Sequence, residues 1–84
     1  MENKKYICPC CGYATLEASG DYDLCPVCFW EDDPYQKKYP EYAGGANRLS
    51  LVESRKNFRE FGASEERFLP YVRKPEEEEW KEHA

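Results

Sequence analysis

The sequence predicts a small metal-bound α+β domain, in which a zinc-ribbon-like β-hairpin module is followed by a C-terminal α-helix. Three observations predict this fold class. The chain has 84 residues, a length at which a hydrophobic core alone rarely provides enough stability. Four of its five cysteines form two Cys-x-x-Cys pairs, and a later segment has the end signals of one amphipathic helix. We therefore expect a single domain over residues 1–75 and an acidic tail over 76–84.

Residues 5–33 form the predicted cysteine module, with two or three short strands linked by two cysteine turns. The pairs Cys8/Cys11 and Cys25/Cys28 are separated by 13 residues, and β-forming residues flank the turns. A two-residue spacer lets both sulfurs of a pair face one point, and zinc prefers four thiolates in a tetrahedron at about 2.3 Å. We therefore predict that these four cysteines are the metal ligands.

Three further residues lie in or directly after the two cysteine turns. Gly12 follows the first pair, and glycine readily adopts the positive φ that often closes such a turn. Phe29 follows the second pair, so either the backbone differs there or a strained residue is tolerated. The fifth cysteine, Cys10, is interpreted as a small spacer residue. The alternatives for Cys10 are a redox-sensing thiol and an exchangeable ligand.

The middle of the chain predicts a loop and then a helix. Residues 34–49 contain proline, glycine and asparagine without periodicity, which is typical of an irregular loop. Residues 50–62 predict a helix, because Ser50 and Glu53 form a capping box and Gly62 is well placed to end it. One face of this helix is expected to pack on the cysteine module. Its members are Leu51, Ser54, Phe58 and Phe61.

The last part of the chain predicts little regular structure. Residues 64–72 read as a short turn. Four consecutive glutamates at 76–79 precede Trp80, and we interpret this charge run as a frayed, solvated helix that begins at Pro75. The alternative is a partner-binding segment anchored by Trp80.

The four cysteines and their spacing favour zinc as the metal, in a structural role. Four thiolates also suit a rubredoxin-type iron centre, but rubredoxins have a longer insert between their cysteine pairs. Iron-based electron transfer therefore stays the alternative. The free energy of zinc binding, ~10–16 kcal/mol, is as large as the whole stability of a small domain. A purely structural role of the metal therefore accounts for the four cysteines. The only histidine is His83, which leaves a catalytic zinc site without its usual ligand, and we expect no enzymatic activity.

The composition of the chain indicates which class of partner and which cellular compartment to expect. The formal net charge of −5, from 12 basic and 17 acidic residues, argues against nucleic-acid binding. No apolar run has the length of a signal peptide or a membrane span, so we expect a cytoplasmic protein, where clustered cysteines indicate metal or redox chemistry. Aromatic residues make up 15% of the chain. Because tyrosine and tryptophan favour interfaces, we expect the partner to be another protein.

Several segments of the chain also carry a family resemblance. They are Cys8-Pro9-Cys10-Cys11-Gly12-Tyr13, Cys25-Pro26-Val27-Cys28-Phe29-Trp30-Glu31-Asp32-Asp33-Pro34, Gly44-Gly45-Ala46-Asn47, Ser50-Leu51, Asn57-Phe58 and Phe61-Gly62-Ala63. In them the sequence resembles the cysteine-rich CPCC proteins, which are small and mainly bacterial. The resemblance implies a compact metal-ribbon domain with an appended helix, and it supplies no catalytic residues. The resulting hypothesis is a zinc-binding interaction module. The alternatives are a rubredoxin-like electron-transfer protein and a thiol redox sensor that uses Cys10.

Overall fold

The computed structural model describes residues 5–80. Within this range the chain forms two strands, two α-helices and two 3₁₀ turns. In chain order they are β1 (Tyr6–Ile7), β2 (Ala14–Leu16), α1 (Pro34–Lys38), α2 (Leu51–Phe61) and the 3₁₀ turns Glu66–Tyr71 and Glu77–Trp80. This is a small α+β arrangement, as predicted. No helix within residues 5–80 has both the length and the apolar character that a membrane crossing needs.

The first cysteine turn lies in a short antiparallel hairpin. Strands β1 and β2 pair with Tyr6 opposite Leu16 and Ile7 opposite Ala14, and the register shifts between these two pairs. The second turn is spanned by an isolated antiparallel bridge rather than by two strands. The prediction of short β structure around the turns is therefore confirmed for the first turn, and only a single bridge flanks the second.

Helix α2 begins and ends where its sequence signals predict. The Ser50 hydroxyl accepts from the Glu53 amide at 3.1 Å, and the Glu53 side chain accepts from the Ser50 amide. This is a complete capping box. Gly62 ends the helix with φ 93°, a left-handed conformation that glycine adopts without the steric cost of a Cβ atom.

Three of the four residues predicted for the inward face of α2 do face the core. Leu51 and Ser54 are buried, and Phe58 is half-buried against the core cluster. Phe61, predicted to face the cysteine module, is 36% exposed instead. It is the last residue of the helix and lines a surface pocket of about 290 Å³, so the apolar contact of α2 with the core ends at Phe58.

A short helix, α1, occurs where the sequence predicted only an irregular loop. The Asp33 carboxylate accepts from the amides of Tyr35 and Gln36, and Pro34 takes the first helical position. Asp33 is therefore an N-cap, and its pairing with Pro34 starts a helix rather than a simple turn. Five residues are too few to show a helical period, which is why the pattern missed this element.

The rest of the predicted loop is ordered around Gln36, which is fully buried. Its side-chain amide donates to the carbonyls of Tyr42, Asn47 and Leu49 at 3.0, 3.2 and 3.1 Å. Its oxygen accepts from the Asn47 amide at 3.0 Å. Backbone groups of this segment therefore find their hydrogen-bond partner in one buried side chain, where a helix or sheet would otherwise provide it.

The C-terminal segment packs onto the hairpin. Glu79 is buried and its carboxylate accepts from Arg73 at 2.8 and 3.0 Å. The ring of Trp80 meets that of Tyr13 edge-on, with centroids 5.7 Å apart. Residues 76–80, predicted as the start of a solvated tail, are thus part of the domain surface. Residues 81–84 lie outside the described range, and their assignment to an acidic tail stays a prediction.

The hydrophobic core surrounds the cysteines. Leu16, Val27, Trp30 and Leu51 are buried and form one cluster with all five cysteine side chains. A chain of this length has little other interior to offer, so the cysteine module occupies the centre of the domain.

Candidate metal centre

The first cysteine turn is closed by two backbone hydrogen bonds. The amide of Cys8 donates to the carbonyl of Tyr13 at 2.9 Å, and the amide of Gly12 donates back to the carbonyl of Cys8 at 2.8 Å. Gly12 has φ 84°, as predicted for the residue that closes this turn.

The second turn repeats this pattern residue for residue. The amide of Cys25 donates to the carbonyl of Trp30 at 3.0 Å, and the amide of Phe29 donates to the carbonyl of Cys25 at 2.7 Å. Phe29 therefore stands where Gly12 stands in the first turn, and its φ is 68°. The sequence left open either a different backbone at this position or a strained residue. The structure has the second: the backbone is the same as in the first turn, and Phe29 is the strained residue.

The two turns bring their sulfurs to one point. The Sγ atoms of Cys8, Cys11, Cys25 and Cys28 all lie within 4.8 Å of one another. Cys8 Sγ is 3.6 Å from Cys28 Sγ, and Cys11 Sγ is 3.7 Å from Cys25 Sγ. A tetrahedron with metal–sulfur bonds of about 2.3 Å has edges of about 3.8 Å. A disulfide would need about 2.05 Å, and all five cysteines are free. The four side chains could hold a metal ion.

The electrostatics of the cluster favour a bound cation. Hydrogen bonding with Cys11 raises the pKa of Cys8, and hydrogen bonding with Cys25 raises the pKa of Cys11. Burial raises the pKa of Cys28. Cys25 differs, because hydrogen bonds from Cys11 and then from Cys28 and Cys8 lower its pKa. Burial disfavours several thiolates side by side, and a divalent cation is what would let all four sulfurs ionise.

One comparison with known proteins identifies the family. The family model described as cysteine-rich CPCC matches residues 6–79, which is nearly the whole chain. The chain belongs to the cysteine-rich CPCC family. A search among curated proteins found no match.

The extra cysteine in the name-giving CPCC segment, Cys10, lies at the edge of the cluster. Its side chain is buried. It is not one of the four cysteines whose sulfurs converge. Because oxidation of a thiol depends on its exposure, this burial disfavours the interpretation of Cys10 as a redox-sensing thiol.

Hydrogen bonds from the rest of this CPCC chain to backbone carbonyls of the two turns hold both turns in place. The amide of Ser64 donates to the carbonyl of Cys28 at 2.8 Å, and that of Arg73 to Pro26 at 3.2 Å. The guanidinium of Arg55 donates to the carbonyl of Pro9 at 2.9 Å. Helix α2 and the C-terminal segment thus fix the orientation of the turns from outside.

The site also contains a residue that sequence reasoning missed. Thr15 is buried in β2, and its Oγ1 lies 3.0 Å from Cys25 Sγ. The sequence contains no signal for this contact, because a threonine in a short strand reads only as a β-former. Glu31, Asp32 and Asp33 are not part of the four-cysteine group, and His83 lies outside the described residues.

A separate feature of the surface is a cluster of three tyrosines. The rings of Tyr35 and Tyr39 have centroids 4.7 Å apart, and those of Tyr35 and Tyr42 are 4.9 Å apart. Each of the three is about half exposed. The ammonium of Lys38 lies 5.5 Å from the centroid of the Tyr39 ring, which is within the range of a cation–π contact.

Proposed function

We propose that Cys8, Cys11, Cys25 and Cys28 bind one zinc ion, which stabilises a zinc-ribbon-like domain. The observation that supports this most directly is the pair of sulfur–sulfur distances, 3.6 and 3.7 Å. They are close to the edge of a zinc tetrathiolate tetrahedron, about 3.8 Å.

The charge of the cluster supports the same proposal. Four buried thiols that stay protonated make only weak hydrogen bonds with one another. A divalent cation would displace their protons and leave a complex with a net charge of about −2, which nearby amides can stabilise. The free energy of zinc binding, on the order of 10 kcal/mol, would then contribute directly to folding.

The structural role follows from the closed ligand set. Four protein thiolates leave no open position for water or substrate, whereas a catalytic zinc usually keeps one. We therefore propose that the protein is not an enzyme. Reduced thiols suit a cytoplasmic location, which is part of the same proposal. Iron in the same four sulfurs is the alternative, and it would make the protein an electron carrier.

Metal titration of the full chain tests this proposal. Cobalt added to the reduced apoprotein should bind at one equivalent, with the intense sulfur-to-cobalt charge transfer of four thiolates, and zinc should displace it. Cys25→Ser should lose this spectrum, whereas the matched control Cys10→Ser should keep it. Equal spectra for both variants would contradict the ligand assignment. An iron-coloured protein after aerobic purification would favour the electron-transfer alternative.

A second role, protein binding, is favoured by the tyrosine cluster. We propose that Tyr35, Tyr39 and Tyr42 contact an acidic segment of another protein. Lys37 and Lys38 are exposed in α1 between Tyr35 and Tyr39, so two cations are available there for acidic side chains of a partner. Half-exposed tyrosines offer apolar area with a hydrogen-bonding end, at a low entropic cost.

This second role has its own test. A partner captured by the full chain would be purified and titrated against two single variants. Tyr35→Ala, which removes the central ring, should weaken binding about tenfold, as hot-spot tyrosines do. Tyr6→Ala, a similarly exposed tyrosine on β1, should not. Equal effects of both variants, or tight binding by Tyr35→Ala, would show that the cluster is not the contact surface.

A further inference from the structure

A buried hydroxyl lies beside the sulfur cluster. Thr15 Oγ1 is 3.0 Å from Cys25 Sγ, and both side chains are buried. The amide of Val27 donates to the same sulfur at 3.4 Å. Cys25 therefore accepts one hydrogen bond from its own turn and contacts a second donor on β2, the strand that leaves the first turn.

The protonation state decides the direction of this contact. A thiolate has no proton to give, so a metal-bound Cys25 can only accept, and the Thr15 hydroxyl must donate. Hydrogen bonds to ionised acceptors are stronger than neutral ones, and the low dielectric of a buried site strengthens them further. The Thr15 hydroxyl therefore stabilises the thiolate form of the cluster more than the thiol form.

We propose that Thr15 is a positioning residue of the metal centre, whose hydroxyl donates to the Cys25 thiolate and so raises the affinity of the site for a divalent metal. This inference rests on the proposed metal binding and adds the residue that tunes it. Hydrogen-bond partners of metal ligands typically change metal affinity by about 10–100-fold. The contact also lowers the electron donation of Cys25 to the metal, because part of the sulfur lone-pair density is held by the hydroxyl proton.

The competing explanation is that Thr15 is simply a strand residue. Valine has nearly the same shape and is an equally good β-former. If only shape and strand propensity matter, Thr15→Val should leave the metal site unchanged. If the hydroxyl matters, the same substitution should change the metal site while the fold persists.

The test compares the full chain with three variants, each loaded with cobalt and then titrated with zinc against a chelator. Thr15→Val should shift the sulfur-to-cobalt charge-transfer band to lower energy and weaken zinc binding by about 10–100-fold. Thr15→Ser, which keeps the hydroxyl, should retain the wild-type band energy. The control is Ser64→Ala, because the Ser64 hydroxyl is buried but has no hydrogen-bond partner within residues 5–80, and the substitution keeps the backbone amide that donates to Cys28. It should behave as wild type.

The outcomes separate this inference from the proposed function. If wild-type protein binds no cobalt through thiolates, the metal-binding proposal fails, and the inference fails with it. If wild type binds cobalt but Thr15→Val has the same band and affinity, only the inference about Thr15 fails. A loss of affinity in Ser64→Ala as large as that in Thr15→Val would also overturn it, since any buried hydroxyl would then have the same effect.

A measurement on the wild-type chain covers the case in which Thr15→Val does not fold. In protein loaded with ¹¹³Cd, a hydrogen bond from Thr15 to the Cys25 sulfur should transmit a scalar coupling between the metal and the hydroxyl proton. The burial of Thr15 slows the exchange of its hydroxyl proton with water, so the coupling can be observed. Cadmium couplings to the cysteine protons without any coupling to Thr15 would overturn the inference.

Discussion

The ring of Phe29 stacks on the ring of Tyr71, with centroids 5.6 Å apart and planes inclined by 22°. The ring of Phe68 also packs against the ring of Phe29, with centroids 5.0 Å apart. Phe29 has a φ of 68°, the left-handed region that disfavours side chains with a Cβ atom. Such strain persists only where the surroundings compensate for it, and here the compensation is aromatic contact with the 3₁₀ turn Glu66–Tyr71. The residue that replaces a turn glycine therefore also joins the cysteine module to the C-terminal segment.

This relationship predicts different effects of two substitutions at Phe29. Phe29→Ala loses the ring contacts and keeps the strain of a Cβ atom at positive φ, whereas Phe29→Gly loses the contacts but relieves the strain. Both variants should be less stable than wild type, with the alanine variant about 1 kcal/mol below the glycine variant. Denaturant unfolding of the zinc-loaded proteins measures the difference. An alanine variant as stable as the glycine variant would mean that the backbone at Phe29 is not strained.

Removal of the metal should unfold the core around Trp30. This side chain is fully buried in the cluster that contains the cysteines, so loss of the metal should expose it to water. In a Trp80→Phe background, Trp30 is the only tryptophan. A chelator should shift its fluorescence to longer wavelength, and zinc in excess should reverse the shift. Unchanged fluorescence after the metal has been removed would mean that the domain folds without it.

Glu65 predicts a pH dependence of stability. The residue is 4% exposed. Burial by itself would raise its pKa, but hydrogen bonds and charges from Arg67 and Arg48 outweigh burial and lower the pKa below its ordinary 4.5. A pKa lowered by folding gives stability that is present above the unfolded pKa and is lost as the pH falls through the folded one.

The test compares wild type with Glu65→Gln in excess zinc. Wild type should be more stable by about 1 kcal/mol near pH 7, because both arginines are largely exposed and solvent weakens their pairing. This advantage should stay constant down to about pH 5 and shrink at lower pH. An advantage that grows with acidification would have the wrong sign for this ion pair.

Gln36 predicts a large effect from a single polar side chain. Gln36→Ala would leave the carbonyls of Tyr42, Asn47 and Leu49 without the amide that they share. We expect a loss of about 2–4 kcal/mol in the free energy of unfolding, because buried polar groups would lose their partner. The matched control is Lys37→Ala, an exposed neighbour in the same helix, which should change stability by less than about 0.5 kcal/mol. Similar losses in both variants would show that α1 matters only as a helix.

The features predicted from the sequence have short-range signals. The two cysteine pairs, the capping box of Ser50 and Glu53, and the αL glycine at Gly62 each depend on residues within a few positions of one another, and the structure contains all of them. Fixed spacing determines such local geometry. For the same reason the family resemblance was visible, since it is carried by contiguous motifs.

The features that the sequence did not predict depend on contacts between distant residues. Thr15 meets Cys25 across ten positions, and Gln36 orders a loop that lies up to 13 positions away. The burial of Glu79 requires its pairing with Arg73, which turns a run of glutamates into a packed segment. Patterns of polarity along the chain contain no information about such pairings, so a solvated tail and an irregular loop were the natural expectations.

The most direct test of the metal-binding account is X-ray absorption at the zinc edge of the zinc-loaded full chain. We predict one zinc per chain with four sulfur neighbours at about 2.3 Å and no nitrogen or oxygen ligand. Cys10→Ser should give the same spectrum. A coordination shell with fewer than four sulfurs, or with nitrogen or oxygen neighbours, would contradict the assignment of the centre to Cys8, Cys11, Cys25 and Cys28.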